Sequence, residues 1–415
     1  MAITNAIAQV AEPAAPTDNP LPRIAAITTI YYHNSHADLL VSRLLEGHTL
    51  DGQGSFPKLK LASLYIDQIQ EENPAYRDVG RALAAQFNVP LYKSVPEALT
   101  LGTDALAVDG VLLIAEHGMY PLAADGQIQY PKRRLWNDVV KVFESSGRSV
   151  PVFHDKHLAD TWEDARWIYD ASRRLKFPLM AGSSLPVTWR YPAIEIKPDQ
   201  RIKEVVALNY GPLEGYGFHA LEALQSLVEK RRGGETGVRA VRYLQGDAAW
   251  AAIKPDVLDR SLLDHLLANL KERPWPAGKT PEEIVKEPPT LFQVEYVDGL
   301  RASVLTLGTH VADWAVAWRD AESGRIESTN FRTQEWRPLA HFCYLLGGIE
   351  QMMHTGEPTW PVERTLLTTG VLDALFAAKG GAEWRPTPHL AIEYQTRWKF
   401  QQPPAPPADR PLTGQ

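Results

Sequence analysis

The stretch RIAAITTIYYHNSHADLLVSRLLEG, residues 23–47, decides the fold. Ile24 to Ile30 form a short apolar run, a turn follows, and Leu39, Leu40, Leu44 and Leu45 then recur at helical spacing. A strand feeding a helix at the start of a domain is where a dinucleotide-binding sheet places its glycine-rich turn. This turn has no glycine. It carries Tyr31, Tyr32, His33, Asn34, Ser35, His36 and Asp38 instead.

Further apolar runs follow at strand length: KLKLASLYIDQ ending at Asp67, VDGVLLIAEHG ending at Glu116 and His117, SVPVFHDKHL ending at His154 to His157, and KFPLMAGSS. Amphipathic stretches separate them. RRLWNDVVKVFESSG, for example, has Leu135, Val139, Val142 and Phe143 on one face. Alternating strands and helices imply right-handed crossovers and a parallel sheet, with ligands beyond the carboxyl ends of the strands. Residues 23–181 are therefore expected to form a Rossmann-like, doubly wound α/β domain.

The second half has another pattern. TLFQVEYVDGLRASVLTLG alternates on both sides of Asp298-Gly299 and predicts a hairpin. HVADWAVAW, RIKEVVALNYG and TGVRAVRYLQG predict more strands, and GFHALEALQSLVEKRR and RPLAHFCYLLGGIEQMMHTG predict helices. Residues 182–375 are expected to be an α/β domain with an open, mostly antiparallel sheet and helices on one side. Trp314, Val316 and Trp318, beside Phe292, Val294 and Tyr296, would leave an apolar face that a homodimer or homotetramer buries. Residues 1–22 read as a flexible leader without a signal-peptide pattern. Residues 376–415 read as an extension ending in a Pro-rich tail, QQPPAPPADRPLTGQ, that builds no core.

These segments resemble the Gfo/Idh/MocA-like oxidoreductases. The resemblance runs over residues 23–375 and is carried by VDGVLLIAEHGMYP, VPVFHDKHL and GPLEGYGFHALEALQSLV. It implies NAD or NADP and a sugar-like hydroxyl. It also implies that Lys156 and His219 act near the hydride-transfer site and that Asp67 holds a ribose. Setting the family's His-Ala on His36-Ala37 puts Thr28, Ile30 and His33 where the three glycines belong, which argues against the usual dinucleotide pose. The family's Asp four residues before the helix His is Gly215 here, with Glu214 one place earlier.

The strand ends offer imidazoles and carboxylates instead, the ligands that Zn²⁺, Mn²⁺ or Fe²⁺ prefer. His33, His36, Glu116, His117, His154 and His219 are the candidate metal ligands, although each histidine alone also reads as a hydrogen-bonded turn residue. Lys156, His219 and Asp155 are the candidate catalytic groups. Ser183, Ser184, Arg190 and Tyr120 are candidates for binding a small polar substrate. The leading expectation is metal-assisted hydrolysis or elimination. The alternatives are an NAD(P)-dependent sugar or polyol oxidoreductase and a non-catalytic ligand-binding protein.

Composition narrows the partners. A formal charge of −7 leaves no basic footprint for nucleic acid. One cysteine, Cys343, excludes an internal disulfide framework and fits a cytoplasmic protein. No apolar run reaches the length of a membrane span.

Overall fold

A computed structural model describes residues 20–254, 257–406 and 412. The first sheet holds β1 (Arg23–Thr28), β2 (Lys60–Ile66), β3 (Leu91–Tyr92), β4 (Gly110–Ile114), β5 (Val152–Asp155) and β6 (Leu179–Gly182), in the order β3-β2-β1-β4-β5-β6. Every pairing in it is parallel. Because side chains alternate along a strand, Val111 and Leu113 of β4 face the helices Lys132–Ser146 and Trp162–Leu175, while Leu112 and Ile114 face the other side. Both faces are buried, which is why the strands read as unbroken apolar runs. The second face is closed by the helices that begin at His36 and, from far along the chain, by the helix His341–Thr355, whose Phe342, Leu345, Ile349 and Met352 pack there.

The second sheet is mixed. Its strands are β7 (Trp189–Tyr191), β8 (Ile202–Asn209), β9 (Val238–Gln245), β10 (Thr290–Tyr296), β11 (Arg301–Thr306), β12 (Trp314–Asp320), β13 (Ile326–Arg332) and β14 (Arg385–Pro386). They lie in the order β14-β9-β10-β11-β8-β12-β13-β7, and only the β11–β8 pairing is parallel. The Asp298-Gly299 turn joins β10 to β11 as expected, with Phe292 opposite Val304.

The helices do not cover one side only. Trp314, Val316, Trp318, Phe292, Val294 and Tyr296 pack against the helices Phe218–Val228 and Val362–Ala378. The opposite face, with Leu208, Leu291, Leu305 and Ala317, is covered by Leu258, Leu262, Leu263 and Leu266 in and beside the helix Arg260–Ala268. The residues expected to await a partner subunit are therefore inside the chain's own core.

A strap from 394 to 404 crosses between the two sheets. The Tyr394 hydroxyl donates to Glu229 at 2.8 Å, and the Trp398 ring lies 4.9 Å from the Arg364 guanidinium and 4.7 Å from the Lys230 ammonium. Phe400 stacks 3.9 Å from Arg190, and Trp189 Nε1 donates to the Pro404 carbonyl at 2.7 Å. The first part of the Pro-rich tail is thus packed. Residues 407–411 and 413–415 of the tail, and 1–19 of the leader, lie outside the described residues. No helix among the described residues is long and apolar enough to cross a membrane.

Candidate active site

A cavity of about 230 Å³ opens between the two sheets, at the carboxyl ends of the parallel strands. His36 reaches it from the first turn, His117 from the end of β4, Lys156 from the end of β5, Ser184 from beyond β6, and His219 from the helix Phe218–Val228. His117 and Lys156 both have left-handed backbones, with φ of 63° and 61°. Non-glycine residues held there carry a conformational cost that a fold tolerates mainly at functional sites.

Three of the groups that open on the cavity, His36, Lys156 and His219, have a buried group behind them. His36 Nδ1 lies 2.6 Å from Asp155 Oδ2, and the Asp155 side chain is almost fully buried. The Lys156 ammonium is 3.3 Å from Glu116 Oε2, and Lys132, itself buried, is 3.3 Å from Glu116 Oε1. Burial alone would raise the Glu116 carboxyl, but Lys156 and Lys132 hold it well below the usual range. His219 Nδ1 is 2.6 Å from the Ser183 hydroxyl. Burial, with Lys156 and His36 nearby, holds His219 well below the ordinary histidine value. His117 is lowered to about 3 by burial and by the same two neighbours, and its buried Nδ1 has no hydrogen-bond partner among the described residues. Both imidazoles are therefore neutral at pH 7.

The opposite wall is aromatic. Tyr210 and Trp314 have ring centroids 4.4 Å apart, and Tyr216 stacks on Trp314 at 5.8 Å and 16°. Glu335 and His341 complete that side. The sequence had placed Trp314 on an assembly face and had not singled out Tyr210, Tyr216, Glu335 or His341. Tyr210 follows the end of β8, and that strand end was the available signal.

The candidate metal ligands do not converge. His36, His117 and His219 share the cavity, but the His33 side chain is 66% exposed and lies 3.8 Å from Asp38. His154 lies on the face of β5 that packs under the helix Lys132–Ser146, where Trp136 Nε1 donates to its Nδ1 at 2.9 Å. One residue along a strand reverses the side-chain direction, and His154 falls on the wrong side for the cavity. Glu116 spends its oxygens on two ammonium groups. Among the described residues, no group of three or more His, Cys, Asp or Glu is placed to hold a metal ion.

Two substrate candidates are also corrected. Arg190 is fully buried, bonded to the Pro186 carbonyl at 2.8 Å and stacked on Phe400. Tyr120 donates to Asp67 at 2.9 Å instead of lining the cavity. Ser184 does line it, while Ser183 supports His219. Glu214 accepts from the Ile128 N–H at 3.1 Å and pins the hairpin around it, so it does not replace the acid expected near His219. Glu222, beneath Gly182, accepts from Thr368 at 2.6 Å. Gly182 has a φ of 122°, and a Cβ there would collide with the Glu222 carboxylate.

No protein-family model matches the chain, and no curated protein matches it in sequence. Solved structures do match over nearly the whole length. GenD2 from gentamicin A biosynthesis, in complex with NAD, matches at 13% identity and a TM-score of 0.56, covering 90% of this chain and 99% of that one. A myo-inositol dehydrogenase from Corynebacterium glutamicum matches at 11% identity and 0.52, covering 88% and 98%. The apo scyllo-inositol dehydrogenase from Lactobacillus casei matches at 11% and 0.50, covering 88% and 98%. The chain has the Gfo/Idh/MocA-type fold.

Within this fold, the residues of this chain do not fit a dinucleotide. Ile30 and Tyr31 fill the turn after β1, at 1% and 0% exposure. The segment that follows β2 folds over them: Val79 N–H donates to the Tyr31 carbonyl at 2.8 Å, and Gly80 lies so close that a Cβ would stand 2.6 Å from the Tyr31 ring. Asp67, the expected ribose ligand, is taken up by hydrogen bonds from Tyr65 at 2.6 Å, Tyr120 at 2.9 Å and Arg134 at 2.6 Å.

Proposed function

We propose that this chain is an enzyme that moves protons at a small polyhydroxylated substrate in the interdomain cleft. One observation carries the reading. Three imidazoles and an ammonium, from His36, His117, His219 and Lys156, open on one cavity, opposite the ring faces of Tyr210, Tyr216 and Trp314. The aromatic wall suits the apolar face of a sugar-like ring. His219, neutral and bonded to Ser183, is the candidate base for a hydroxyl proton or for a hydrogen on the carbon beside a substrate carbonyl, whose oxygen takes up the charge as an enolate. Lys156 faces the oxygen on which negative charge develops, at a point where water is scarce and charge is weakly screened. Asp155 orients the His36 ring, as a carboxylate orients a catalytic imidazole elsewhere.

The likeness to GenD2 and to the inositol dehydrogenases favours a second reading, NAD(P)-dependent oxidation of a sugar or polyol. The filled turn and the engaged Asp67 count against it.

The test is a panel of inositols, aldoses and their keto derivatives in deuterium oxide, with and without NAD(P). Exchange at carbon-bound hydrogens is followed by NMR and nicotinamide reduction by absorbance. The reading expects a substrate whose exchange needs no added cofactor and drops in Lys156→Ala and His219→Ala. Rates unchanged in both variants overturn it.

A further inference from the structure

We propose that this chain takes no nicotinamide dinucleotide and that the Asp38 carboxylate occupies the charge position of the missing pyrophosphate. The inference rests on reading the cleft as a proton-transfer site, and it states what that site works without.

In a sheet of this order the pyrophosphate lies at the start of the helix after β1. Here that helix start is sealed. Ser35 caps it by accepting from the Asp38 N–H at 3.2 Å. The Asp38 side chain, 2% exposed, accepts from the Asn34 N–H at 2.8 Å, from the Ser42 hydroxyl at 2.6 Å and from Arg337 Nη1 at 2.6 Å. A phosphate brought to this point would meet a buried anion whose donors are already engaged.

The rest of the dinucleotide's path is closed by separate groups. Ile30 and Tyr31 occupy the floor, and the Tyr31 hydroxyl is tied to Ser42 at 2.7 Å. At the ribose end, Asp67 holds Tyr120 and Arg134. Gln68 and Met119 exchange hydrogen bonds at 3.0 and 2.8 Å, so the hairpin after β4 lies over the end of β2. Phosphate, ribose and floor are blocked independently, so no single side-chain movement opens the site.

Arg337 gives the substitution a second effect. It lies between β13 and the helix His341–Thr355, and it bonds Asn34 at 3.0 Å as well as Asp38. Both Asn34 and His341 line the cavity. The Asp38–Arg337 pair therefore fastens the first turn to the second half of the chain at the rim of the cleft.

The experiment uses the full chain. Calorimetric titration with NAD⁺, NADH, NADP⁺ and NADPH is expected to show no saturation up to about 1 mM, and saturation at about 10 μM or tighter by any of the four overturns the proposal. Asp38→Asn keeps the shape and removes the charge. It is expected to lower the melting temperature and to speed amide exchange in residues 33–38 and 333–342, and no change in either overturns the role of the pair. Exchange at substrate carbon separates this proposal from the reading beneath it. A Lys156-dependent rate without dinucleotide supports both. A rate that requires NAD(P) yet still falls in Lys156→Ala and His219→Ala overturns the proposal and the cofactor-free chemistry, and leaves the assignment of those residues to the cleft standing. A rate independent of Lys156 and His219, with no dinucleotide bound, overturns the cleft assignment and leaves the proposal standing.

Discussion

His36 and Asp155 stand 119 positions apart in the sequence, yet Nδ1 of one lies 2.6 Å from Oδ2 of the other. β1 and β5 both border β4, so residues just past their carboxyl ends meet above it. Asp155 does not touch the cavity; it acts by fixing the ring that does. Asp155→Asn is expected to lower kcat on the order of 10²-fold while KM stays within about threefold. Steady-state kinetics with an unchanged near-ultraviolet spectrum checks it, and an equal loss in both parameters would point to collapse of the site.

Lys156→Met leaves the buried Glu116 with Lys132 as its remaining ammonium partner. Activity is expected to fall on the order of 10²-fold or more. The folded-state value of Glu116 is depressed, so its contribution to stability is complete above the ordinary carboxylate range and is lost as pH falls through the folded value. Removing Lys156 raises that folded value. The acid-unfolding midpoint, read by circular dichroism, should therefore move to higher pH.

Four histidines, the buried His154 and His341 and the half-buried His117 and His219, are held below the ordinary value, chiefly by desolvation, with His117 and His341 at about 3. A histidine kept neutral in the fold adds stability that is complete above its unfolded value and is lost as pH falls from there toward the folded one. Stability should thus begin to decline below about pH 6.5, before the carboxylates titrate. His154→Gln keeps an acceptor for Trp136 and should make that slope shallower between pH 6 and 5, measured by urea unfolding at several pH values.

Arg190→Leu separates structure from binding. Its guanidinium is fully buried against Pro186, Ser226 and Phe400, and the change strands groups that it now satisfies. A loss of about 3 kcal/mol in unfolding free energy is expected, with KM unchanged. A raised KM at unaltered stability would return Arg190 to the substrate site.

Tyr216→Ala should do the reverse. Its ring is 39% exposed and stacks on Trp314 at the cavity wall. KM is expected to rise about tenfold with kcat and the melting temperature nearly unchanged, the size of one lost ring contact.

The parallel sheet was legible because its strands are apolar on both faces, and strand ends such as Glu116-His117 and Asp155-Lys156 marked the cleft. What sequence could not show is direction at the last residue of a strand: His154 and Asp155 are neighbours, and only Asp155 reaches a residue of the site, His36. The helix Val362–Ala378 was missed because it is buried nearly all round and has no polar stripe to give it a period. The same blindness put Trp314 on an outer face, since strand alternation tells two sides apart without saying which of them a later helix will cover. The turn after β1 shows its missing glycines in the sequence, but its carboxylate, Asp38, gives no sign there of its arginine 299 positions away.

The strap from 394 to 404 makes assembly of this chain a matter of sequence in time. Arg190, Lys230, Arg364 and Glu229 all precede in the chain their aromatic covers, Tyr394, Trp398 and Phe400. Without those rings the charges would lose their cover. A product cut off before Tyr394 would carry both sheets and an unsealed joint, and it would meet the cell's quality control as an unfinished protein rather than as a trimmed one.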